Sequence, residues 1–391
     1  MDTTFSLPQR VLRAVASAPG RAAALALALA LAASLAFAAA APALPAGFWG
    51  AVPQSGLSTE QYERIARGGV KSVRIAVNWG DLQPTRNGPY EWGAIDASVE
   101  RAALAGIDVL PTVAGAPSWA VPSVRVPGGG GAKAPARLPA SGPAAGAWKA
   151  LLAAAVRRYG PNGEFWAARP QLPRRPIRAW QIWNEPNFKF FVRRPNPGEY
   201  GRLVRISSAA IKSVDRGAQL ILAGLFAQPK GARNPRTGKQ KGINWFASDF
   251  IAAMYKRTPG VKRLFQGVSL HPYTGHFRHI KEQVEEMRSV LRAQRDAGKA
   301  IWLTEVSWSS QPPSPRNVFA KGPAGQAQQL RGAFNLIRRN QARWRVRRVY
   351  WFSVDDTKGA CNFCDGSGLF GEGFKPKKSW FAFVRFAGGT P

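Results

Sequence analysis

The chain has 391 residues, a formal net charge of +33, 45% apolar residues, 14 Trp and two Cys. That apolar and aromatic content is enough for a large buried core and excludes a mainly disordered chain. Two thiols, Cys361 and Cys364, exclude a disulfide-rich scaffold and a four-cysteine zinc site. The basic residues are scattered in pairs such as Arg157-Arg158, Arg174-Arg175 and Arg338-Arg339, with no basic helix or zinc knuckle, so nucleic acid is not an expected partner. The positive field favours polyanions only in a general way.

Residues 1–45 read as an export segment. Arg10, Arg13 and Arg21 precede an apolar run from Ala22 to Ala41, followed by Pro42 and Pro45, and Ala38-Ala39-Ala40 offers a cleavage site. The run is long enough to span a bilayer, so cleavage and retention as an N-terminal anchor both fit. Either way the protein is expected to be exported, secreted or held at the cell surface, and to meet a membrane only through that anchor.

From residue 46 the chain alternates strand-like and helix-like runs. Strand one is Phe48–Val52, and a helix follows from Ser58, where Ser58 and Gln61 fit a capping box and Gly68 is the stop. Strand two, Ser72–Trp79, leads to a helix after Trp92 that carries Ile95, Val99, Ala102 and Ala103 on one face. Strand three is Asp108–Val113. The Gly/Pro/Ala-rich insertion Ala116–Ala145, which includes Gly128–Gly131, has neither helical nor strand period and predicts a mobile loop at one rim.

The pattern continues with a helix at Ala147–Tyr159, strand four at Ile177–Asn184 and a helix opened by Pro197. Strand five, Gln219–Leu225, precedes a basic loop, Lys230–Lys241, and a helix near Trp245–Tyr255. Strand six, Gln266–His271, is followed by a helix over His279–Ala297. Strand seven, Ala300–Glu305, is followed by a helix over Gly325–Arg339. Strand eight is Arg347–Val354, and a short helix near Lys378–Phe386 ends the pattern. Eight strand–helix repeats in residues 46–391 predict an α/β fold, a (β/α)8 TIM barrel, in one domain. A doubly wound sheet would want a Gly-rich phosphate loop after strand one, and none is there.

In such a barrel the chemistry gathers at the C-terminal strand ends. Glu185, in Trp183-Asn184-Glu185-Pro186-Asn187, and Glu305 each end a short apolar strand. A carboxylate there is costly to bury, and two on one barrel make the pair that glycoside hydrolysis uses. Nearby strand ends offer Arg74, His271-Pro272-Tyr273, Trp119, Trp308, Trp351 and Asp355-Asp356. Arg74 lies between Val73 and Ile75, so strand alternation turns it into the barrel. The three histidines, His271, His276 and His279, lack a His-x-His or His-Glu-x-x-His spacing, and no metal is expected from them. In an exported protein Cys361 and Cys364 read as a local disulfide.

The Asn-Glu-Pro motif with a distant strand-end glutamate resembles the clan A glycoside hydrolases, the group of families 5 and 39, which includes cellulase-like and β-xylosidase-like enzymes. Gly88-Pro89-Tyr90-Glu91-Trp92 and Ala116-Pro117-Ser118-Trp119 are similar to families 5, 39 and 42. The resemblance implies that Glu185 is the acid/base and Glu305 the nucleophile. It implies that Asn184 bonds the sugar 2-hydroxyl, Arg74 steadies Glu305, and His271 or Tyr273 contacts the nucleophile and sugar. Trp351 would floor the pocket, with Trp119 and Trp308 at its rim. It further implies a retaining hydrolase of a β-linked oligo- or polysaccharide that needs no cofactor. Arg74 beside Glu305 would lower its pKa, and a less compensated Glu185 would hold a proton. The competing readings are a non-catalytic glycan-binding barrel and a basic cell-surface protein that binds acidic polymers.

Overall fold

The computed structural model describes residues 44–357, 359 and 364–391. The basic and apolar stretch at residues 1–43 and Cys361 lie outside the described residues, so the export segment and the Cys361–Cys364 pairing are not traced here. Cys364 itself is buried. No helix of the described residues is long and apolar enough to cross a membrane.

Eight parallel strands close into a barrel. They are β1 (Trp49–Val52), β2 (Ser72–Asn78), β3 (Asp108–Ala114), β4 (Ala179–Asn184), β5 (Gln219–Phe226), β6 (Gly267–His271), β7 (Ala300–Val306) and β8 (Val346–Phe352). Each pairs with its sequence neighbours, and β8 returns to β1 in a register from Trp49 opposite Val349 to Val52 opposite Phe352. The main helices between and after them are α1 (Thr59–Arg67), α2 (Gly93–Leu104), α3 (Gly142–Tyr159), α4 (Pro197–Val214), α5 (Ala247–Arg257), α6 (Ile280–Ala293), α7 (Gly322–Trp344) and α8 (Lys378–Ala387). This is a (β/α)8 barrel, and its residues Pro45–Pro391 make one compact unit.

Local chemistry sets the boundaries. The capping box at α1 is complete: Gln61 N donates to the Ser58 hydroxyl, and the Gln61 side chain accepts from Ser58 N. At α4, Asn196 caps the first turn ahead of Pro197. Helix α7 is longer than its sequence period indicates. It starts one residue before Pro323, whose missing N–H costs nothing in the first turn, and ends where Arg345 turns left-handed at φ +54°. Helix α6 is shorter than its period, stopping at Ala293 just before Arg295 turns left-handed.

The insertion after β3 departs from the expectation of an unstructured loop. Ser123–Arg125 and Lys133–Pro135 pair as an antiparallel hairpin across a turn where Gly128, Gly130 and Gly131 have positive φ, and α3 begins at Gly142. Strands of three residues are too short for alternation to register in a sequence. The basic loop 230–241 is likewise bridged, Arg233 against Gln240.

Inside the barrel Val52, Leu110, Ile221, Trp302, Tyr350 and Phe352 pack into one apolar plug. Fully buried indoles, among them Trp79, Trp148, Trp183, Trp308 and Trp351, make up much of the rest of the core.

Candidate active site

The acid-bearing end of β4 is shaped by its backbone. Strict alternation from Gln181, which faces the interior, would turn Trp183 inward and Asn184 outward. Instead Trp183 has φ +71°, its ring packs against Trp148 of α3, and its indole N–H donates to Phe191 O. Asn184 and Glu185 both face the barrel mouth as a result, and Glu185 itself sits at φ +41°. Two consecutive-but-one non-glycine residues in the left-handed region cost about 1–3 kcal/mol each, a strain concentrated at functional sites. Glu185 N donates to Gly224 O at 2.9 Å, tying the turn to β5.

Glu305 is held from two sides. Arg74 Nη1 donates to its Oε1 at 2.7 Å, and Tyr273 Oη donates to its Oε2 at 2.7 Å. The same guanidinium donates from Nη2 to Asn184 Oδ1 at 2.7 Å and from Nε to Gln181 Oε1 at 2.6 Å. Glu185 Oε1 meets His271 Nδ1 at 2.7 Å, and that nitrogen lies 3.4 Å from Glu305 Oε2. One oxygen from each carboxyl lies within 4.8 Å of the other. All five principal groups are buried: Arg74, Glu185, His271, Tyr273 and Glu305.

Hydrogen-bond directions in this network follow from the one member that can only donate. Arg74 has no acceptor, so its partner on Gln181 is the carbonyl oxygen, which also accepts from Thr112 Oγ1 at 2.7 Å. Gln181 Nε2 therefore faces Thr304 Oγ1, 3.4 Å away. Thr304 Oγ1, accepting from the amide, lies 3.0 Å from His271 Nε2, and the ring's other nitrogen faces the Glu185 carboxyl, an arrangement in which the Thr304 proton serves Nε2. His271 is then the Nδ1–H tautomer, donating to Glu185 Oε1. Gly224 makes the ring's position possible: a Cβ there would fall 1.9 Å from His271 Nε2.

Electrostatics separates the two carboxyls. Burial pushes Glu185 well above the usual carboxylate range, and the charge of Glu305 adds to that more than Arg74 offsets. Burial also raises Glu305, against the sequence expectation of a lowered pKa. Arg74 and the Tyr273 hydroxyl pull it back down, so Glu185 is the stronger holder of the proton. Burial keeps His271 neutral, with Arg74 reinforcing the effect. Burial and the Glu305 charge hold the Tyr273 proton on its oxygen.

The structure brings Glu185, Glu305, Arg74, Asn184, His271 and Tyr273 together, buries Trp351 and Trp308 fully, and leaves Trp119 half-buried in the loop after β3. Trp351 is fully buried, donates to Ser367 O, and contacts Trp308 and Phe334 of α7. Alternation on β8 sends Tyr350 and Phe352 inward instead, and Phe352, not Trp351, sits edge-on to Tyr273. Trp308 donates to Thr274 O and is 1% exposed. Trp119 packs edge-on to Trp79 and donates to Gln83 O. Both brace loops. Asp356 pairs with Lys377, and Asp355 accepts from Ser55. Gln181, Thr304, Thr112, Gly224 and Phe352 were not singled out in the sequence. A polar Gln181 inside an apolar strand was the available signal.

Glu185, His271 and Glu305 have the spacing and burial of a metal-binding trio, a cluster assembled from three strands that no local motif displays. The hydrogen-bond directions argue otherwise. His271 Nδ1 points a proton, not a lone pair, at the carboxylates, and Arg74 already supplies the cation.

Comparison with known proteins agrees with this architecture. Residues 178–376, about half of the chain, match the family described as glycosyl hydrolase catalytic core. Among solved structures, a family 39 glycoside hydrolase from Bacteroides cellulosilyticus WH2 is similar at TM-score 0.59 and 18% identity, over 88% of this chain and 64% of that one. A monomeric β-xylosidase from Caulobacter crescentus CB15 is similar at TM-score 0.59 and 18% identity, over 88% and 68%. A GH5_18 from Bifidobacterium longum subsp. infantis is similar at TM-score 0.58 and 18% identity, over 88% and 79%. At these identities the likeness is one of fold, and the chain spans just under two thirds of the Bacteroides structure. No curated protein matches the chain. With a match that starts at the head of β4 and takes in Glu185, His271, Tyr273 and Glu305, the chain belongs to the glycosyl hydrolase catalytic core family.

Proposed function

We propose that this protein is an exported retaining glycosidase that hydrolyses a β-linked glycan, with Glu305 as nucleophile and Glu185 as acid/base. The observation that carries the reading is the carboxyl pair. One oxygen of Glu185 and one of Glu305 lie within 4.8 Å of each other, a proximity that suits the ~5–5.5 Å carboxyl spacing of retaining enzymes better than the ~6.5–9.5 Å of inverting ones.

The surroundings suit the two roles. Glu305, charge-paired with Arg74 and hydrogen-bonded by Tyr273, attacks the anomeric carbon as the glycosidic bond breaks. Glu185, whose burial raises its hold on the proton, gives it from Oε2 to the leaving oxygen while His271 steadies Oε1. Loss of the Glu305 charge in the covalent intermediate removes part of what raises Glu185 and prepares it as a base. Glu185 then takes a proton from water, the water oxygen bonds the anomeric carbon, and Glu305 leaves as carboxylate. Export is supported by the order of basic, apolar and small residues in the first 45 positions.

The test is hydrolysis of aryl β-glycosides and soluble β-glucans, xylans and mannans by the full chain, with Glu305→Ala alongside and the anomer of the first product read by NMR. Turnover that vanishes in the variant and gives the retained anomer is expected. An inverted product, or turnover that survives Glu305→Ala, would sink the mechanism.

A further inference from the structure

At the barrel's catalytic end, the five loops after β3 to β7 carry charge of one sign, whereas the loops after β2 and β8 bring in Asp81, Glu91, Asp355 and Asp356. The loops at 115–141, 186–196, 227–246, 272–279 and 307–321 contain fourteen Lys and Arg and no Asp or Glu. At the chain's overall proportion of 55 basic to 22 acidic residues, roughly six acidic residues would accompany them if they reflected composition alone. The opposite end of the barrel is also basic but mixed. There Glu164, Asp215 and Asp296 lie among the arginines of the loops that lead into β4, β5 and β7.

These five loops form one continuous rim. Lys189 Nζ donates to Pro127 O, Arg193 N to Pro135 O, and Lys189 N to Asn244 Oδ1, joining the loops after β3, β4 and β5. Phe188 stacks on Phe226, Phe226 meets Tyr273, and Tyr273 meets Phe319, carrying the rim across the catalytic tyrosine to the loop after β7. Among the described residues only Arg233 of the fourteen makes a salt bridge, to Asp249 and Glu286. Arg125, Lys133, Arg236, Lys239 and Lys241 are exposed.

We infer that the substrate is an anionic glycan, a polymer carrying carboxylate or sulfate groups, which this rim draws in and aligns over the carboxyl pair. The inference rests on the glycosidase reading and narrows its substrate. A cleft lined along five consecutive loops by one sign of charge focuses its field into that side of the opening, concentrating a ligand of opposite sign in a salt-dependent way. Cationic side chains without protein partners are free to pair with it.

The test uses the full chain carrying Glu305→Ala, so that binding is read without turnover. Titration calorimetry compares a uronate oligosaccharide, its carboxyl-reduced neutral counterpart and a sulfated oligosaccharide, at low and at moderate salt. Two charge-matched variants are added, Arg236→Glu/Lys239→Glu/Lys241→Glu on the rim and Arg216→Glu/Lys262→Glu/Arg263→Glu at the opposite end. The inference expects an anionic ligand to bind at least about tenfold more tightly than the neutral one at low salt. The rim variant should lose most of that advantage and its salt dependence, while the control variant keeps both. The uronate and sulfate arms identify the acidic group. Equal losses in the two variants would mean that the overall charge is responsible, and equal binding of neutral and anionic ligands would mean that the rim does not select; either overturns the inference. Hydrolysis of an aryl glycoside by the unsubstituted chain reports separately on the catalytic reading. Turnover without charge preference sinks only the inference, whereas anion-selective binding without turnover sinks only the glycosidase.

Discussion

Gln181 Oε1 accepts from Arg74 Nε at 2.6 Å, and this contact sets the orientation of both halves of the site. On one side it fixes the guanidinium that pairs with Glu305. On the other it turns the Gln181 amide N–H toward Thr304 and hence selects the tautomer of His271 beside Glu185. Gln181→Met is expected to lower kcat with little change in KM and to cost about 1–3 kcal/mol of stability, because Arg74 and Thr112 lose a buried acceptor. Nitrogen NMR of His271 is the decisive measurement. The unsubstituted protein should show the neutral Nδ1–H form, and the variant a mixture. The same spectrum in both would remove Gln181 from this role.

Arg74 has no substitute for its charge. Arg74→Met should reduce kcat/KM by ~10²–10³-fold, the scale of losing a preorganised electrostatic partner. It should also move the acidic limb of the pH–rate profile upward, since the guanidinium is among the groups that keep Glu305 ionised. A loss of activity with an unmoved acidic limb would assign Arg74 to packing alone.

Glu185 gives a stability prediction whose direction follows from its raised pKa. In the folded protein it holds its proton above the pH at which the unfolded chain releases it. The folded state therefore binds more protons between the ordinary carboxyl value and the raised one, and stability falls as pH rises through that window. Glu185→Gln keeps the shape without the charge. It should raise Tm near pH 8 and leave Tm unchanged at acid pH, while slowing glycosides with poor leaving groups by ~10²–10⁴-fold. Equal Tm values across the range would show that burial of Glu185 carries no such cost.

At Gly224 a single methyl is enough to disturb the His271 ring that bonds Glu185. Gly224→Ala places a Cβ 1.9 Å from His271 Nε2, and a shift of about 1 Å in such a ring costs on the order of 10²-fold in rate. Thermal melting should show a folded barrel with activity lost. Gly224→Ala combined with His271→Asn should lose less than the two single effects multiplied, because the smaller side chain relieves the overlap. Multiplicative losses would separate the two residues.

Much of this architecture was legible in the sequence. The alternation of strand and helix gave the eight barrel strands, because each strand carries an apolar run long enough to read and α1, α3, α4 and α7 carry a cap or a proline at their start. Glu185, Glu305 and Arg74 stood out because a charged residue in such a strand breaks its pattern. What stayed hidden depends on geometry that periodicity does not record. Trp351 and Phe352 are neighbours, and only the register of β8 against β1 decides which of them faces Tyr273. The left-handed turn at Trp183 reverses the expected facing of Asn184. His271 meets Glu185 across 86 positions, so its role emerges only once β4 and β6 share one barrel.

The turn at Trp183 and Glu185 also ties catalysis to the firmness of the whole wall. A backbone held in an unfavourable conformation relaxes as soon as its neighbours loosen, and here the neighbours are Gly224 O on one side and Trp148 on the other. Denaturant should therefore silence the enzyme before it unfolds the barrel, with Glu185 springing back to an ordinary backbone while fluorescence of the buried indoles still reports an intact core.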